Sequence, residues 1–265
     1  MPLGKFESDV LRVISQNRSP ESHVAGATVL NRDENTPRIS NDIDLFNDTE
    51  DVLLSAYQSD MISLNAAGYQ TELQKDFSTF KRVLVSKKDS RTKIEWARDS
   101  AFRFFPAEPD PQLGYCLNRW DAATNKALAA AGRTAIRDYV DLLHLHSNAL
   151  SLGAIIWAAS AKDGGLSPGF ILEEMQRIQR YPAEEYQKLE MVKPCDPVQL
   201  KHLWLEAIQD AKELFDLLID LDAPYGCFFL NKDGEPETPN ADTLSSLQPH
   251  YGSLRGCWPR SVEED

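Results

Sequence analysis

The spacing of apolar residues changes part-way along the chain. Before about residue 118, short runs of alternating apolar and polar residues stand between a few helical patterns; from Asp121 onward apolar residues recur mainly every three or four positions. Alternation predicts half-buried strands, and the longer spacing predicts amphipathic helices. The pattern therefore predicts an N-terminal α/β unit, residues 1–118, and a mainly helical unit with an irregular tail, residues 119–265.

The first unit is predicted to mix short helices and strands, with N-cap chemistry in Asp48-Thr-Glu-Asp51 and a helix end at Gly68. Its predicted elements are helices at 7–16 and 48–67, a helical turn at 28–32, strands at 22–25, 38–46, 69–73, 80–85 and 93–97, a further candidate strand at 102–105 and a loop at 106–111.

The second unit is predicted to be helical up to Asp222 and irregular after it, because the last stretch is rich in Pro, Gly and acidic residues. Asp121 is expected to cap the first helix and Gly132 to end it. The predicted helices lie at 121–131, 134–147, 151–161, 168–180, 183–191 and 197–221.

Composition narrows the class of protein. The 265 residues are 42% hydrophobic, which is ordinary for a globular protein, and carry a net charge of −13. This charge argues against broad non-specific binding of nucleic acid, though not against a local basic cleft. We expect a cytoplasmic protein, because neither an N-terminal signal region nor an apolar run long enough to span a bilayer is evident.

The four cysteines indicate reduced thiols. Cys116, Cys195, Cys227 and Cys257 lie far apart with no CxxC spacing. This pattern predicts neither a zinc site nor a disulfide framework.

The most informative motif is a pair of aspartates, Asp42 and Asp44, inside the apolar run 38–46. In a strand, residues i and i+2 share a face, so both carboxylates project together while Ile43 and Leu45 project into a core. Neighbouring carboxylates repel each other, and a divalent cation such as Mg2+ relieves that repulsion. The pair therefore predicts a metal site. The alternative is that both aspartates are ordinary polar residues at a strand edge.

The same chain contains a control for this motif. Asp220 and Asp222 have the same spacing but close a helical pattern, where residues i and i+2 diverge around the axis. We assign them a solvated or capping role.

A two-metal site usually includes a third carboxylate. Glu95 is the best candidate, because Ile94 and Trp96 would face the core and leave Glu95 on the opposite face, as for the two aspartates. Glu72 and Asp76 are the alternative third ligands. It is also possible to explain Glu95 without metal, as an exposed glutamate on a strand.

Two further segments suggest contacts with phosphate. The turn Gly26-Ala27-Thr28 could offer backbone amides and a hydroxyl to a triphosphate. On the second unit, Lys126 and Arg133 could form a positive wall, with the segment Arg137–Asp141 holding the two units in place. The alternative for Lys126 and its neighbours is an ion-pair ladder of small effect on stability.

Two remaining motifs are interpreted as structural. Lys162 before Gly164 and Gly165 fits the end of a helix. His144 and His146 would point apart on a helix, so they do not predict a metal site.

Together these motifs resemble the nucleotidyltransferase AbiEii/AbiGii toxin family, part of the polymerase-β-like nucleotidyltransferase superfamily. The first family pattern stands here as Gly26-Ala27-Thr28 followed by Arg38-Ile-Ser40-Asn-Asp42-Ile-Asp44. The second stands as Lys126, Arg133, Arg137-Asp138 and Asp141, in the family's order. The resemblance covers about residues 20–180.

The resemblance implies an α+β fold: a polymerase-β-like nucleotidyltransferase core, with a mixed sheet flanked by helices, followed by a helical C-terminal unit. It also implies transfer of a nucleoside monophosphate from an NTP to an acceptor hydroxyl. Asp42, Asp44 and Glu95 would hold two Mg2+ ions and Lys126 would offset developing charge. The implied nucleotide-binding residues are Gly26, Ala27, Thr28, Arg38, Ser40, Lys126 and Arg133.

Several functions stay open at this stage. A toxin of this family would modify an RNA such as tRNA and would have a cognate antitoxin protein. One alternative is transfer to a small molecule or a protein. Another is a nucleotide-binding module without turnover. Ala27 is consistent with the latter, because it replaces the second Gly or Ser of the family pattern. The last alternative is an α/β protein in which the aspartate pair has no function. This hypothesis requires that both motifs arise by chance.

Overall fold

The computed structural model describes residues 3–32, 36–133, 135–177, 183–187, 189–192, 194 and 196–252. These residues divide by their contacts into two compact units, Met1–Ala122 and Ala123–Asp265. The division falls inside one helix, Arg119–Gly132.

The first unit is built on a mixed seven-stranded sheet of order β3-β4-β5-β2-β1-β7-β6. Strand β2 pairs antiparallel with β1 and parallel with β5. Its elements are α1 (Lys5–Ile14), β1 (Ser22–Val24), α2 (Gly26–Leu30), β2 (Asp42–Asn47), α3 (Glu50–Ala66), β3 (Gln70–Phe77), β4 (Phe80–Lys87), β5 (Ser90–Arg98), β6 (Glu108–Asp110) and β7 (Gly114–Cys116).

Alternation along the central strands defines the core of this unit. Ile43 and Leu45 of β2 and Ile94 and Trp96 of β5 are fully buried, whereas the residues between them are partly exposed. Helix α3 follows a cap in which the Thr49 hydroxyl accepts from the Val52 amide at 3.2 Å. The predicted alternation and the predicted capping segment are both confirmed.

Asp60 brings an ionic network into this core. The Arg18 guanidinium donates to both Asp60 oxygens at 2.6 Å, and neither side chain is exposed. Trp96 Nε1 and Asn17 Nδ2 also donate to Asp60, each at 2.8 Å. Burial raises the pKa of Asp60 although the charge of Arg18 opposes that shift, so desolvation is the larger effect. The network joins α1's C-terminal side, α3 and β5.

The second unit is mainly helical. The described residues also form a two-stranded antiparallel sheet, β8 with β9. Its elements are α4 (Arg119–Gly132, which begins in the first unit), α5 (Ile136–Asn148), α6 (Leu152–Ala159), α7 (Pro168–Met175), α8 (Ala183–Gln187), α9 (Pro197–Asp220), β8 (Phe228–Leu230) and β9 (Gln248–His250).

Helices α6 and α9 form the centre of the second unit. Every residue of α6 is buried. A Cβ added at Gly153 of α6 would lie 3.0 Å from the Ala211 Cα of α9, so the two helices pack closely there. Asp196 and Ser151 cap α9 and α6 by accepting from Val198 and Ala154 amides.

Three expectations about elements are wrong. Residues 102–105 do not form a strand, because the Asp121 carboxylate accepts the Phe104 and Phe105 amides, both at 2.9 Å. Helix α4 begins at Arg119, and Asn118 Oδ1 accepts the Trp120 amide at 2.9 Å, so Asn118 rather than the expected Asp121 occupies the capping position. The segment after Asp222 is not wholly irregular, since it contains β8 and β9.

Other boundaries shift by a few residues. Strand β2 begins at Asp42 rather than at 38, and the expected loop at 106–111 contains β6. The end of the helix predicted at 168–180 and parts of the helix predicted at 183–191 lie outside the described residues, as do Cys195 and Cys257. Cys116 and Cys227 are both buried, and no disulfide joins them.

Within the described part of the chain, no single helix is both long and apolar enough to cross a membrane. Helices α5 and α6, the latter with its extension to Lys162, meet that criterion only as a pair bent by 116°.

The buried network predicts a large effect of Asp60→Asn. Removing one partner leaves the Arg18 charge in the core, so we expect the free energy of unfolding to fall by about 3–5 kcal/mol. The matched control is Asp9→Asn, since Asp9 forms an exposed helical pair with Arg12 and such a pair contributes about 0–1 kcal/mol. Urea unfolding of both variants checks this, and equal effects would contradict it.

Candidate active site

The candidate site begins with strand β2. Asp42 and Asp44 are partly exposed on one face of this strand, opposite the buried pair Ile43 and Leu45. This face, with its continuation across β5 and β4, is called the polar face below. Residues on it include Asp42, Asp44, Lys93, Glu95 and Arg82.

The parallel pairing of β2 with β5 places a second acidic residue beside the aspartates. Asp44 pairs with Glu95, and Asp42 pairs with Lys93. Residues paired across neighbouring strands point to the same face, so Asp42, Asp44 and Glu95 share the polar face. The alternatives Glu72 and Asp76 lie on β3, two strands beyond β5, and Asp76 is paired with Lys81.

Two cations neutralise part of this acidic group. Lys93 Nζ lies 3.0 Å from Asp42 Oδ1. Arg82 donates to Glu95 Oε1 from Nε at 2.7 Å and from Nη2 at 2.6 Å. Within the described ranges no group of three or more His, Cys, Asp or Glu is close enough together to hold a metal ion.

The N-terminus of α2, where the sequence predicted a turn at Gly26-Ala27-Thr28, lies directly against Asp44. Gly26 has a φ of +64°, and a Cβ built on it would lie 2.0 Å from Asp44 Oδ2. The Ala25 amide also donates to the Asp44 carbonyl at 2.9 Å. Only glycine fits both the left-handed backbone and the contact, so the glycine of the first motif is required by the aspartate of the same motif.

The other residues expected at the nucleotide are mostly buried around Asp42. Ser40 Oγ donates to the Asp42 carbonyl at 3.3 Å, and Thr28 Oγ1 lies 3.4 Å from the same oxygen. Arg38 Nη1 donates to the Ile39 carbonyl at 3.3 Å. Ala27 is also nearly buried. These contacts support the chain at the start of β2, and a contact of these residues with nucleotide stays a prediction.

The second motif forms a buried ionic cluster within the second unit. Lys126 Nζ lies 2.9 Å from Asp138 Oδ1 and 3.1 Å from Asp141 Oδ2, and neither carboxylate is exposed. Arg133 Nε donates to Asp138 Oδ2 at 3.0 Å. The cluster therefore joins α4 to α5; Lys126 and both carboxylates are buried, unlike a surface ladder, whereas the Arg133 side chain is 52% exposed.

These cations set the ionisation of Asp138. Burial alone would raise the pKa of Asp138, but Lys126 and the hydrogen bonds and charge of Arg133 outweigh it and hold the pKa below its usual range. A phosphate contact of Lys126 or Arg133 stays a prediction from the resemblance.

The remaining polar motifs have local partners. Lys162 Nζ donates to Asn125 Oδ1 at 2.7 Å. His146 Nδ1 accepts from the Leu152 amide, and burial lowers the pKa of His146 although Asp210 opposes the shift. Asp220 and Asp222 are exposed at the end of α9, as expected for the control pair.

Sequence reasoning missed the cations of the polar face. The period of two on β5 put Lys93 on the same face as Glu95, and the same period on β4 exposed Arg82 on one face of that strand. The pattern within one strand does not give the register between strands, and it is this register that places each cation opposite a particular carboxylate.

No protein-family model and no curated protein sequence matches the chain. Among solved structures, a proposed nucleotidyltransferase from H. pylori superimposes with a TM-score of 0.51 at 18% identity, over 82% of this chain and 95% of the other. The chain has a nucleotidyltransferase fold. The resemblance seen in the motifs is thus confirmed at the level of fold, as is the expected α+β architecture of a core followed by a helical unit.

Two other solved structures are similar to a lesser degree. JHP933 from Helicobacter pylori has a TM-score of 0.48 at 16% identity, over 82% of this chain and 96% of the other. MenT4, a nucleotidyltransferase toxin from Mycobacterium tuberculosis H37Rv, has a TM-score of 0.45 at 15% identity, over 78% of this chain and 91% of the other.

The contact of Gly26 with Asp44 predicts a steric penalty for Gly26→Ala beyond the backbone cost. The matched control is Gly68→Ala, because Gly68 also has a positive φ, +76°, but nothing lies within 4 Å of its added Cβ. We expect Gly68→Ala to cost about 1 kcal/mol and Gly26→Ala about 1–3 kcal/mol more. Unfolding midpoints in urea measure both, and equal losses would contradict the contact.

The ionic cluster predicts an acid-dependent effect of Asp138→Asn. A pKa lowered by folding stabilises the protein above the unfolded value of about 3.9, and that contribution is lost as the pH falls through the folded value. At pH 7 we expect the variant to lose about 3–5 kcal/mol of unfolding free energy. The gap to wild type should narrow below about pH 4.

Urea unfolding from pH 7 to pH 3 measures this gap. Asp233→Asn, in an exposed turn of the same unit, is the control and should leave the curve unchanged. A gap for Asp138→Asn that is constant over this range would contradict the lowered pKa.

Proposed function

We propose that this protein is a metal-dependent nucleotidyltransferase that transfers a nucleoside monophosphate from an NTP to an acceptor hydroxyl. The observation that carries the proposal is the pair Asp42 and Asp44 on the polar face, with Asp44 directly against Gly26 at the N-terminus of α2. A nucleotidyltransferase fold around that pair supports the same activity.

The chemistry of the donor set fits Mg2+. Asp42 and Asp44 present carboxylate oxygens on one face of β2, and Glu95 is the residue paired with Asp44. Hard oxygen donors are those that Mg2+ prefers. We therefore propose that Asp42 and Asp44 would hold metal, and that Glu95 would join them as the third ligand for two ions by exchanging Arg82 for metal, since the three carboxylates are not close enough together in the structure to hold an ion. When bound, the metal would lower the pKa of the acceptor hydroxyl and offset triphosphate charge.

In the proposed reaction, the acceptor hydroxyl gives up its proton to solvent, its oxygen attacks the α-phosphorus of the NTP, and a new P–O bond forms. The bond from that phosphorus to the bridging oxygen breaks, and pyrophosphate leaves with the electron pair. The amides around Gly26 would orient the triphosphate. Lys126 and Arg133 are proposed to contact phosphate on the resemblance alone, since in the structure both are paired with Asp138.

RNA is the acceptor that the polar face favours. The register assigns Lys75, Arg82, Arg91 and Lys93 to this face, together with Glu72. Arg82 and Lys93 pair there with Glu95 and Asp42, and no ion pair of Lys75 or Arg91 is found among the described residues. Phe77, 61% exposed at the β3 end, pairs with Phe80 across the hairpin. Cations beside exposed aromatic rings suit a phosphodiester backbone and unstacked bases.

The family resemblance adds two finer proposals. The acceptor would be tRNA or another cellular RNA, and a cognate antitoxin protein would silence the activity. An adjacent gene whose co-expression relieves growth arrest would support the second proposal.

The proposal predicts that Asp44→Ala abolishes transfer while the protein stays folded, because this residue would ligate metal. Purified protein is incubated with Mg2+, total cellular RNA and each α-labelled NTP in turn. We expect labelled RNA with wild type and a loss of at least about 100-fold with Asp44→Ala. Asp220→Ala, from the exposed second aspartate pair, is the matched control and should keep full activity.

The same assay separates the alternatives. Full transfer by Asp44→Ala would contradict the metal assignment. Label in a small molecule or a protein but not in RNA would indicate that other acceptor class. Calorimetric binding of Mg-NTP without any labelled product would indicate a nucleotide-binding module that has lost turnover.

A further inference from the structure

On the polar face, two of the three carboxylates are opposed by a cation from the next strand, while Asp44 pairs with Glu95. Lys93 of β5 pairs with Asp42 of β2, and Arg82 of β4 pairs with Glu95 of β5. The side chains follow the register, since Lys93 Nζ lies 3.0 Å from Asp42 Oδ1 and Arg82 donates twice to Glu95 Oε1. The sheet itself therefore supplies positive charge to the proposed metal ligands.

The ion pair between Lys93 and Asp42 is weak enough to be replaced by another interaction. The Lys93 side chain is 43% exposed and that of Asp42 25% exposed, so water competes for both groups and salt screens them. Exposed ion pairs of this kind contribute little to stability. Replacing the Lys93 contact therefore costs the fold little.

An ammonium group and a divalent ion cannot share Asp42 without cost. Both seek the same carboxylate oxygens, and their charges repel each other at contact distance. The ammonium also remains tethered to β5, directly opposite Asp42, so its local concentration stays high.

We infer that Lys93 is a tethered competitor for the metal at Asp42: it neutralises this carboxylate when metal is absent and is displaced when metal binds. The inference rests on the proposed function, because it takes Asp42 to be a metal ligand. It assigns Lys93 a positioning and regulatory role, in which the affinity for free metal is held down by the protein's own cation.

The test measures binding of Mn2+ alone, without nucleotide or RNA, by the electron paramagnetic resonance signal of the free ion. Lys93→Met keeps the length of the side chain and removes its charge. We expect its Kd for Mn2+ to be about three- to tenfold lower than that of wild type. Lys93→Arg retains the charge and should bind as wild type does.

Arg91→Met is the matched control. Arg91 lies two residues earlier on the same face of β5, and no ion pair of Arg91 is found among the described residues. Removing its charge changes the general field without freeing Asp42, so we expect a change of less than about twofold. Circular dichroism spectra establish that each variant is folded.

The possible results separate this inference from the proposed function. Unchanged Mn2+ affinity in Lys93→Met, or equal tightening in Arg91→Met, would overturn the competition while the metal site stands. Wild-type binding retained by an Asp42→Asn/Asp44→Asn variant, or no binding by any variant, would overturn the metal site and the inference with it.

Discussion

The two-residue period of β2 is the constraint on which the first unit depends. One face of this strand provides Ile43 and Leu45 to the core, and the other carries Asp42 and Asp44. A slip of one residue would bury both carboxylates and expose both aliphatic side chains, so the hydrophobic effect that fixes the core also fixes the candidate site. The residues that stabilise the core and the residues of the proposed site therefore lie on opposite faces of the same strand.

Contacts from outside the strand hold this arrangement in place. On the core side, Asp60 of α3 accepts from Arg18 and from Trp96 of β5, the strand that pairs with β2. On the polar side, Gly26 lies against the Asp44 carboxylate at a distance that no side chain would permit. The buried network does not make the fold stable by its charge alone, since burial itself disfavours the ionised groups. The network connects α3 to β5 directly, through the bond that Trp96 donates to Asp60.

Electrostatics differ between the polar face and the buried cluster of the second unit. Lys126 and Asp138 are buried, so their attraction is poorly screened and the pKa of Asp138 stays low. Lys93 and Asp42 are partly exposed, so water and salt screen their attraction and the pair contributes little to stability. The same kinds of residue thus form a buried joint in one unit and a weak, partly exposed pair in the other. The net charge of −13 for the whole chain does not indicate the local balance of charge on the polar face or in the buried cluster.

The sequence by itself determined the features that depend on local period and local chemistry. Alternation predicted the shared face of Asp42 and Asp44 and the buried faces of β2 and β5; the capping segment predicted α3, and the two motifs predicted the nucleotidyltransferase fold. Only the tertiary structure decided the long-range partners, because strand register and the ion pairs that follow from it join residues distant in sequence. The pairing of Lys93 with Asp42 and of Arg82 with Glu95, the network at Asp60 and the use of Asp121 by the Phe104 and Phe105 amides all belong to this class. A local pattern states which face a side chain occupies, but which group it meets there is set by the packing of the whole unit.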